Sequence, residues 1–228
     1  MICCAIIPAG GVGKRFGGDL PKQFTDLNGL PMIIHTLKIF ENTPEVHSIV
    51  LPVHSDWYRL TQELVEKYEI TKVREIVIGG KIRQESVSNA LHAKTAQESE
   101  IILVHEAVRP LATSGLVSRI IESAEDYSAA VPGIAINDVI KEKSGNGTIV
   151  KTLDRTKLCR VQAPQGFWTE LILTAYKKAN DVSYIGPDSA SLLEFIGYKV
   201  QVIDGEDSNI KIMTPLDIKV AEMILAGN

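Results

Sequence analysis

A short apolar run that breaks into glycine constrains this chain most. Ile2 to Ile7 is long enough for one buried strand, and Pro8-Ala9-Gly10-Gly11-Val12-Gly13 follows it directly. Lys14 and Arg15 come next, and Pro21-Lys22-Gln23 lies a few residues further on. Glycine permits close backbone approach and positive φ, so a series of N–H groups can curl around an anion. Lys14, Arg15 and Lys22 add mobile positive charge beside that curl. The arrangement predicts a strand-to-helix bend that cradles a polyphosphate, and it puts nucleotide chemistry first among the possible functions.

The rest of the chain alternates strand-like runs with helical periodicity. Strands are expected at Ser48 to Val53, Glu75 to Ile78, Glu100 to His105, Ala129 to Ile134 and Lys199 to Ile203. Between them, helices are expected to bury Ile33, Leu37 and Phe40, then Leu60, Leu64 and Tyr68, then Val87, Ala90 and Leu91. Ser55 or Asp56 is the expected cap of the second of these, and Ser114 that of the helix burying Val117, Ile120, Ile121 and Ala124. Helical patterns also cover Glu170 to Ala179 and Asp188 to Phe195. Asn209 to Ile212 reads as a short late strand, and Thr214-Pro215 as the start of a helix with Ile218, Ala221, Ile224 and Leu225 inward. Such alternation implies an α/β fold: a single-domain, Rossmann-like, mostly parallel sheet flanked by helices. One stretch breaks the rhythm. Val139 to Lys143 and Thr148 to Thr152 flank Ser144-Gly145-Asn146-Gly147, a hairpin signal. A lone hairpin is marginal in water. An arm over about 137–157 of a domain of residues 1–228 is therefore expected to pack on something, either a second copy of the chain, the favoured reading, or its own domain.

Composition excludes several classes. The chain has 228 residues, 45% hydrophobic and 23% charged, enough for one large core. No apolar run is long enough to span a membrane, and the start lacks the basic lead of a secretory signal. A formal charge of −4 with interspersed signs argues against a nucleic-acid binder. Cys3, Cys4 and Cys159 have neither zinc nor disulfide spacing, so they read as buried apolar residues of a cytoplasmic protein.

The glycine bend matches neither of two commoner loops. A Walker loop would need glycine at Pro8 and a hydroxyl at Arg15. A dinucleotide loop would need a third glycine after Gly11-Val12-Gly13, where Lys14-Arg15-Phe16 stands. Val104-His105-Glu106-Ala107-Val108-Arg109-Pro110 ends a strand, the place where ligands bind in open α/β sheets. There Glu106 can hold a divalent ion or pair with Arg109, and His105 reads as a packed histidine. Gly79-Gly80-Lys81-Ile82-Arg83-Gln84-Glu85-Ser86 is a second strand-to-helix junction, able to approach a base edge or simply to turn.

Together these stretches resemble the 2-C-methyl-D-erythritol 4-phosphate cytidylyltransferase family over essentially the whole chain. The likeness runs through Pro8 to Arg15, Pro21-Lys22-Gln23-Phe24, Gly79 to Ser86, Val104 to Pro110, Asp154-Arg155, Pro164-Gln165, Asp188-Ser189-Ala190-Ser191 and Asn209-Ile210-Lys211. The resemblance implies transfer of CMP from CTP to a polyol phosphate with release of pyrophosphate, a Mg²⁺ cofactor and a homodimer. It implies a nucleotide site at Pro8, Ala9, Gly10, Gly11, Gly13, Gly80, Arg83, Ser86 and Arg109. It assigns catalysis to Arg15 and Lys22 at the triphosphate, and to Arg155 and Lys211 at the acceptor phosphate, with Glu106 on the metal.

The chain departs from the family pattern where Glu106 replaces the usual Asp, and in Pro-Ala-Gly-Gly for Pro-Ala-Ala-Gly. Ala163 and Pro187 stand where threonine is usual, which removes two hydroxyls from the acceptor side. Ribitol-5-phosphate cytidylyltransferase is a close relative with a similar pattern. A dinucleotide-dependent oxidoreductase and a noncatalytic nucleotide-binding regulator are the readings from other classes.

Overall fold

The computed structural model describes residues 1–11 and 20–227. Its first half contains β1 (Cys3–Ile6), the short pair β2 (Asp26–Leu27) and β3 (Leu30–Pro31), α1 (Met32–Glu41), β4 (Ser48–Val53), α2 (Tyr58–Lys67), β5 (Val73–Ile78), α3 (Arg83–Leu91), α4 (Lys94–Gln97) and β6 (Ile101–Val104). The second half contains α5 (Ser114–Tyr127), β7 (Ala129–Ala135), β8 (Lys141–Lys143), β9 (Ile149–Thr152), β10 (Cys159–Val161), β11 (Gln165–Trp168), α6 (Thr169–Asp181), α7 (Ser189–Phe195), β12 (Gln201–Asp204) and α8 (Pro215–Ala226).

The main sheet runs β10-β7-β11-β6-β1-β4-β5, with β12 parallel to β7. Only β10 and β11 run against the others, so the expected mostly parallel sheet is what forms. β12 pairs with residues 130–133 of β7, so β10 and β11 share the opposite edge of that strand. They are two parts of one bent run, interrupted at Gln162–Pro164.

The two-residue period of a strand explains the layers. Cys3, Ala5 and Ile7 face one side and join Ile33, Leu37 and Phe40 of α1 and Val117, Ile120 and Ala124 of α5. Cys4 and Ile6 face the other and join Val87 and Leu91 of α3 and Ile172 and Ala175 of α6. A third cluster, with Val108, Ile212 and Ala221, seats α8 across the carboxyl ends of the strands. Burial on both faces is why these strands read as unbroken apolar runs. Cys3 and Cys4 are buried as expected, and burial pushes both thiols well above the ordinary range. Cys159 is exposed, because β10 lies at the periphery.

Local details depart from expectation at three places. A 3-10 turn at Ser55–Trp57 precedes α2; the His54 ring caps that turn by accepting from Asp56 N at 3.3 Å, and neither Ser55 nor Asp56 caps α2. Thr113, in extended backbone, caps α5 by accepting from Leu116 N, and Ser114 is already helical. Asn209 to Ile212 forms no strand. Asn209 N and Ile210 N donate to the nearby Glu206 O and Ser208 O, Ile212 N donates to Val108 O at 2.9 Å, and Asn209 O accepts from the Arg109 and Gln162 side chains, so no ladder develops. The Thr214–Asp217 capping box and Pro215 start α8 as expected.

The hairpin β8–β9 forms, with Gly147 at φ +87° in its turn. Val139, Ile149 and Val150 on it are 65%, 61% and 59% exposed.

Helix α5 crosses β11 at Gly166. A Cβ there would sit 2.8 Å from Ile120 Cγ2 and 3.1 Å from Ala124 Cβ. Gly166→Val should therefore cost about 1–3 kcal/mol by overpacking. The expected observation is a lower urea midpoint with an unchanged slope; an unchanged midpoint would show that this contact yields freely.

Candidate active site

In the order β5-β4-β1-β6, the chain moves outward from β1 to one side and then returns to the other. A crevice opens beyond the carboxyl ends of β1 and β6, where open α/β sheets bind ligands. The chain after β1 stays beside β4 as far as Ala9, whose N–H donates to Pro52 O at 2.9 Å. It leaves the sheet at Gly10. The buried Gln23 amide donates to Ala9 O at 2.6 Å, which holds the start of the glycine loop to the Lys22–Phe24 turn.

A pocket of about 210 Å³ fills this crevice. Pro8 to Gly11 and Lys22 form one wall. Gly80, Arg83 and Ser86 form a second, and Glu106 and Lys211 a third. The second wall requires glycine: a Cβ on Gly80 would stand 2.2 Å from Glu85 Cβ. Gly80 N donates to Ser86 Oγ at 3.0 Å, so the hydroxyl fastens the turn to the start of α3. A neighbouring pocket of about 250 Å³ contains Arg83, Glu106 and Lys211 again. Arg109, Ala163, Pro187 and Asp188 are among its other walls.

The three charged groups on the 106–109 turn and the late loop are tightly coupled. Arg109 Nε donates to Glu106 Oε2 at 2.8 Å, and Lys211 Nζ lies 2.5 Å from Glu106 Oε1. Burial alone would raise the Glu106 carboxyl, but Lys211 and Arg109 overcome it and hold it at about 2. The pairing expected as one alternative for Glu106 and Arg109 is therefore present. The carboxylate remains a hard oxygen donor on the pocket wall. Among the described residues no three His, Cys, Asp or Glu side chains converge on a cation site. Mg²⁺ is commonly held by one or two carboxylates plus substrate phosphates, so a single glutamate fits that mode and no all-protein cage.

The structure brings Pro8, Ala9, Gly10, Gly11, Lys22, Gly80, Arg83, Ser86, Glu106 and Lys211 to one pocket. Arg109 is not among the residues that line that pocket. It lines the neighbouring pocket, because its guanidinium is drawn to Glu106 and to Asn209 O at 2.8 Å. Arg155 lines neither pocket of its own chain; it donates to the Asn137 carbonyl at the base of the hairpin. Gly13 and Arg15 lie outside the described residues.

Comparison with known proteins decides the family. The profile of IspD, 2-C-methyl-D-erythritol 4-phosphate cytidylyltransferase, matches residues 3–227. The chain belongs to this family. It is 41% identical to a 2-C-methyl-D-erythritol 4-phosphate cytidylyltransferase of Syntrophus aciditrophicus, over 97% of this chain and 94% of the relative. A relative of the same description from Geobacillus kaustophilus is 40% identical over 98% and 96%. Among solved structures, 4-diphosphocytidyl-2C-methyl-D-erythritol synthase from Anaerococcus prevotii superposes with a TM-score of 0.87 at 29% identity, covering 99% of this chain and 96% of that one. The Thermus thermophilus cytidylyltransferase gives 0.81 at 28%, covering 97% and 98%. This member of the family is a mixed α/β nucleotidyltransferase enzyme. No helix among its described residues is long and apolar enough to cross a membrane.

Two groups of site residues were not assigned from sequence. Gln165 Nε2 donates to Asp188 Oδ2 at 2.7 Å, which braces the start of α7 beside the second pocket. Gln162 and Asn209 are buried beneath it. Amides within Val161 to Gln165 and Asn209 to Lys211 were visible signals, but their partners lie 23 to 47 positions away in the chain.

His105 lies under the site, fully buried against Phe40 at a ring separation of 5.0 Å. Its Nε2 is 3.0 Å from Arg109 O; a carbonyl only accepts, so Nε2 carries the proton. Nδ1 is buried without a partner among the described residues. Burial pushes the imidazole down from 6.5 to about 4. The unfolded chain thus binds the extra proton between those values while the folded chain does not, so stability should fall as pH drops from 6.5 towards 4. His105→Gln should flatten that part of the slope of urea midpoint against pH; an identical slope in both proteins would remove His105 as its source.

Proposed function

We propose that this enzyme transfers CMP from CTP to 2-C-methyl-D-erythritol 4-phosphate and releases pyrophosphate, a step in isoprenoid precursor synthesis. One observation carries the reading: two adjoining pockets share Arg83, Glu106 and Lys211, so two anionic reactants can meet across one charged set. The glycine-loop pocket takes the nucleotide. Gly80 and Ser86 offer close approach to a base, while Pro8 to Gly11, Gly13, Arg15 and Lys22 take the triphosphate. The neighbouring pocket takes the acceptor. Its identity rests on the names of the relatives.

An acceptor phosphate oxygen attacks the α-phosphorus, and a new P–O bond forms as the bond to the bridging β-oxygen breaks. Pyrophosphate leaves with that electron pair. No covalent enzyme intermediate is needed, so the protein's work is alignment and charge stabilisation. Lys22 and Arg15 act at the triphosphate, and Lys211 at the acceptor phosphate, with Arg109 fixing the carboxylate between them. Glu106 together with nucleotide phosphates would hold Mg²⁺, which when bound reduces the repulsion between the two anions.

Lys22→Ala should lower kcat by roughly 100-fold or more, in line with loss of a group that stabilises transition-state charge. The check is pyrophosphate release with CTP and methylerythritol phosphate, run beside ribitol 5-phosphate. Near-parental turnover would remove Lys22 from catalysis, and turnover only with ribitol 5-phosphate would reassign the acceptor. Binding of CTP with no release from any polyol phosphate would leave a nucleotide-binding regulator.

The arm is read as a dimer contact. Val139, Ile149 and Val150 are too exposed for a hairpin that stands alone. The same contact would carry Arg155, at the hairpin base, towards the acceptor pocket of the second copy. Ile149→Lys with Val150→Glu should convert a dimer to a monomer in analytical ultracentrifugation, and Arg155→Ala should raise the acceptor KM about tenfold through loss of a charge-assisted hydrogen bond. A parental protein that sediments as a monomer would refute the arm's role.

A further inference from the structure

Lys211 stands on a loop with no ladder of its own, Arg109 on the turn that faces it, and two buried amides tie the loop to the sheet. Gln162 Nε2 donates to Glu206 O at 2.7 Å and to Asn209 O at 3.2 Å, and Gln162 Oε1 accepts from Glu206 N at 3.0 Å. In the other direction Asn209 Nδ2 donates to Ala163 O at 2.7 Å. Gln162 and Asn209 are 6% and 0% exposed. Asn209 O also accepts from Arg109 Nη1, and Arg109 and Lys211 both hold Glu106. The bonds form a closed circuit from residue 209 through Arg109 and Glu106 to Lys211, two positions along the same loop. Gln162 fixes the point where that circuit meets the sheet.

We propose that Gln162 is a positioning residue that sets Lys211 and Arg109 for the acceptor, and that Gly205 is kept small to admit its amide. Neither residue touches the reacting atoms. A Cβ on Gly205 would stand 2.4 Å from Gln162 Oε1, so any larger residue displaces the amide. The glycine loop, Gly80 and Ser86 are held by other bonds, Gln23 to Ala9 O and Gly80 N to Ser86 Oγ, so two of the three walls of the nucleotide pocket stand outside this circuit, which that pocket meets only at Glu106 and Lys211.

The inference rests on the two-pocket reading above, and its test separates the two. Gln162→Met keeps length and volume but removes every amide bond; Gly205→Ala moves the amide from outside the site. Both should raise the acceptor KM about tenfold, the scale of one or two lost hydrogen bonds, with the CTP dissociation constant within twofold of the parental value. Combining Gln162→Met with Lys211→Ala should add little beyond Lys211→Ala, because one residue acts through the other. Parental enzyme that fails to use methylerythritol phosphate would refute the functional reading. Active parental enzyme whose two variants keep the acceptor KM, or weaken both substrates equally alongside a lower Tm, would refute the positioning role. If Gln162→Met does not fold, Gly205→Ala decides alone.

Discussion

Burying the Glu106 carboxylate is tolerable only because two cations meet it. An unpaired charge in that position would cost several kcal/mol of desolvation. Arg109 reaches it from the same turn and Lys211 from a loop more than 100 positions away. The pairing therefore ties the last quarter of the chain across the carboxyl ends of β1 and β6, and the crevice exists as a pocket because of that closure. It also leaves the cluster with two positive charges against one negative, so the crevice attracts anions. Lys22 and Arg83 add to the same sign.

The coupling has a chemical consequence. Lys211 is not idle before substrate arrives; it is held by Glu106 at 2.5 Å. A phosphate entering the second pocket must share or take over that ammonium. The exchange replaces one anion by another on a cation already fixed in place, so little side-chain freedom is lost on binding. Such pre-organisation suits a reaction in which the protein supplies alignment and charge rather than covalent chemistry.

Much of this was legible in the chain itself, for physical reasons that also mark the limits. Strands buried on both faces, such as Ser48–Val53 and Ile101–Val104, announce themselves as apolar runs, and α1 and α5 by their 3.6-residue stripes. Glycines at 10, 11 and 80 line the pocket, and at 80 a Cβ would not fit the turn. The Asn28-Gly29 turn between β2 and β3, with both residues at positive φ, went unread although Asn-Gly is a hairpin signal, because its strands are only two residues each. The strands β10 and β11 gave little periodic signal, being short and split at Gln162–Pro164. Nothing local reveals that Asn209 O accepts from the Arg109 guanidinium, which lies 100 positions away.

The late loop shows why such sites are hard to read and still rigid. Asn209-Ile210-Lys211-Ile212 alternates polar and apolar like a strand, and in isolation that pattern predicts a ladder. The fold uses the same alternation differently. Ile212 is buried under α8, Asn209 turns inward to Ala163 O, and Lys211 is left at the pocket. Asn209 O, which a ladder would satisfy, instead accepts from Gln162 and Arg109, and Ile212 O from Lys22. A ladder would have aimed Lys211 along a sheet. Here bonds to side chains hold Asn209, and Glu106 holds Lys211, across the strand ends instead.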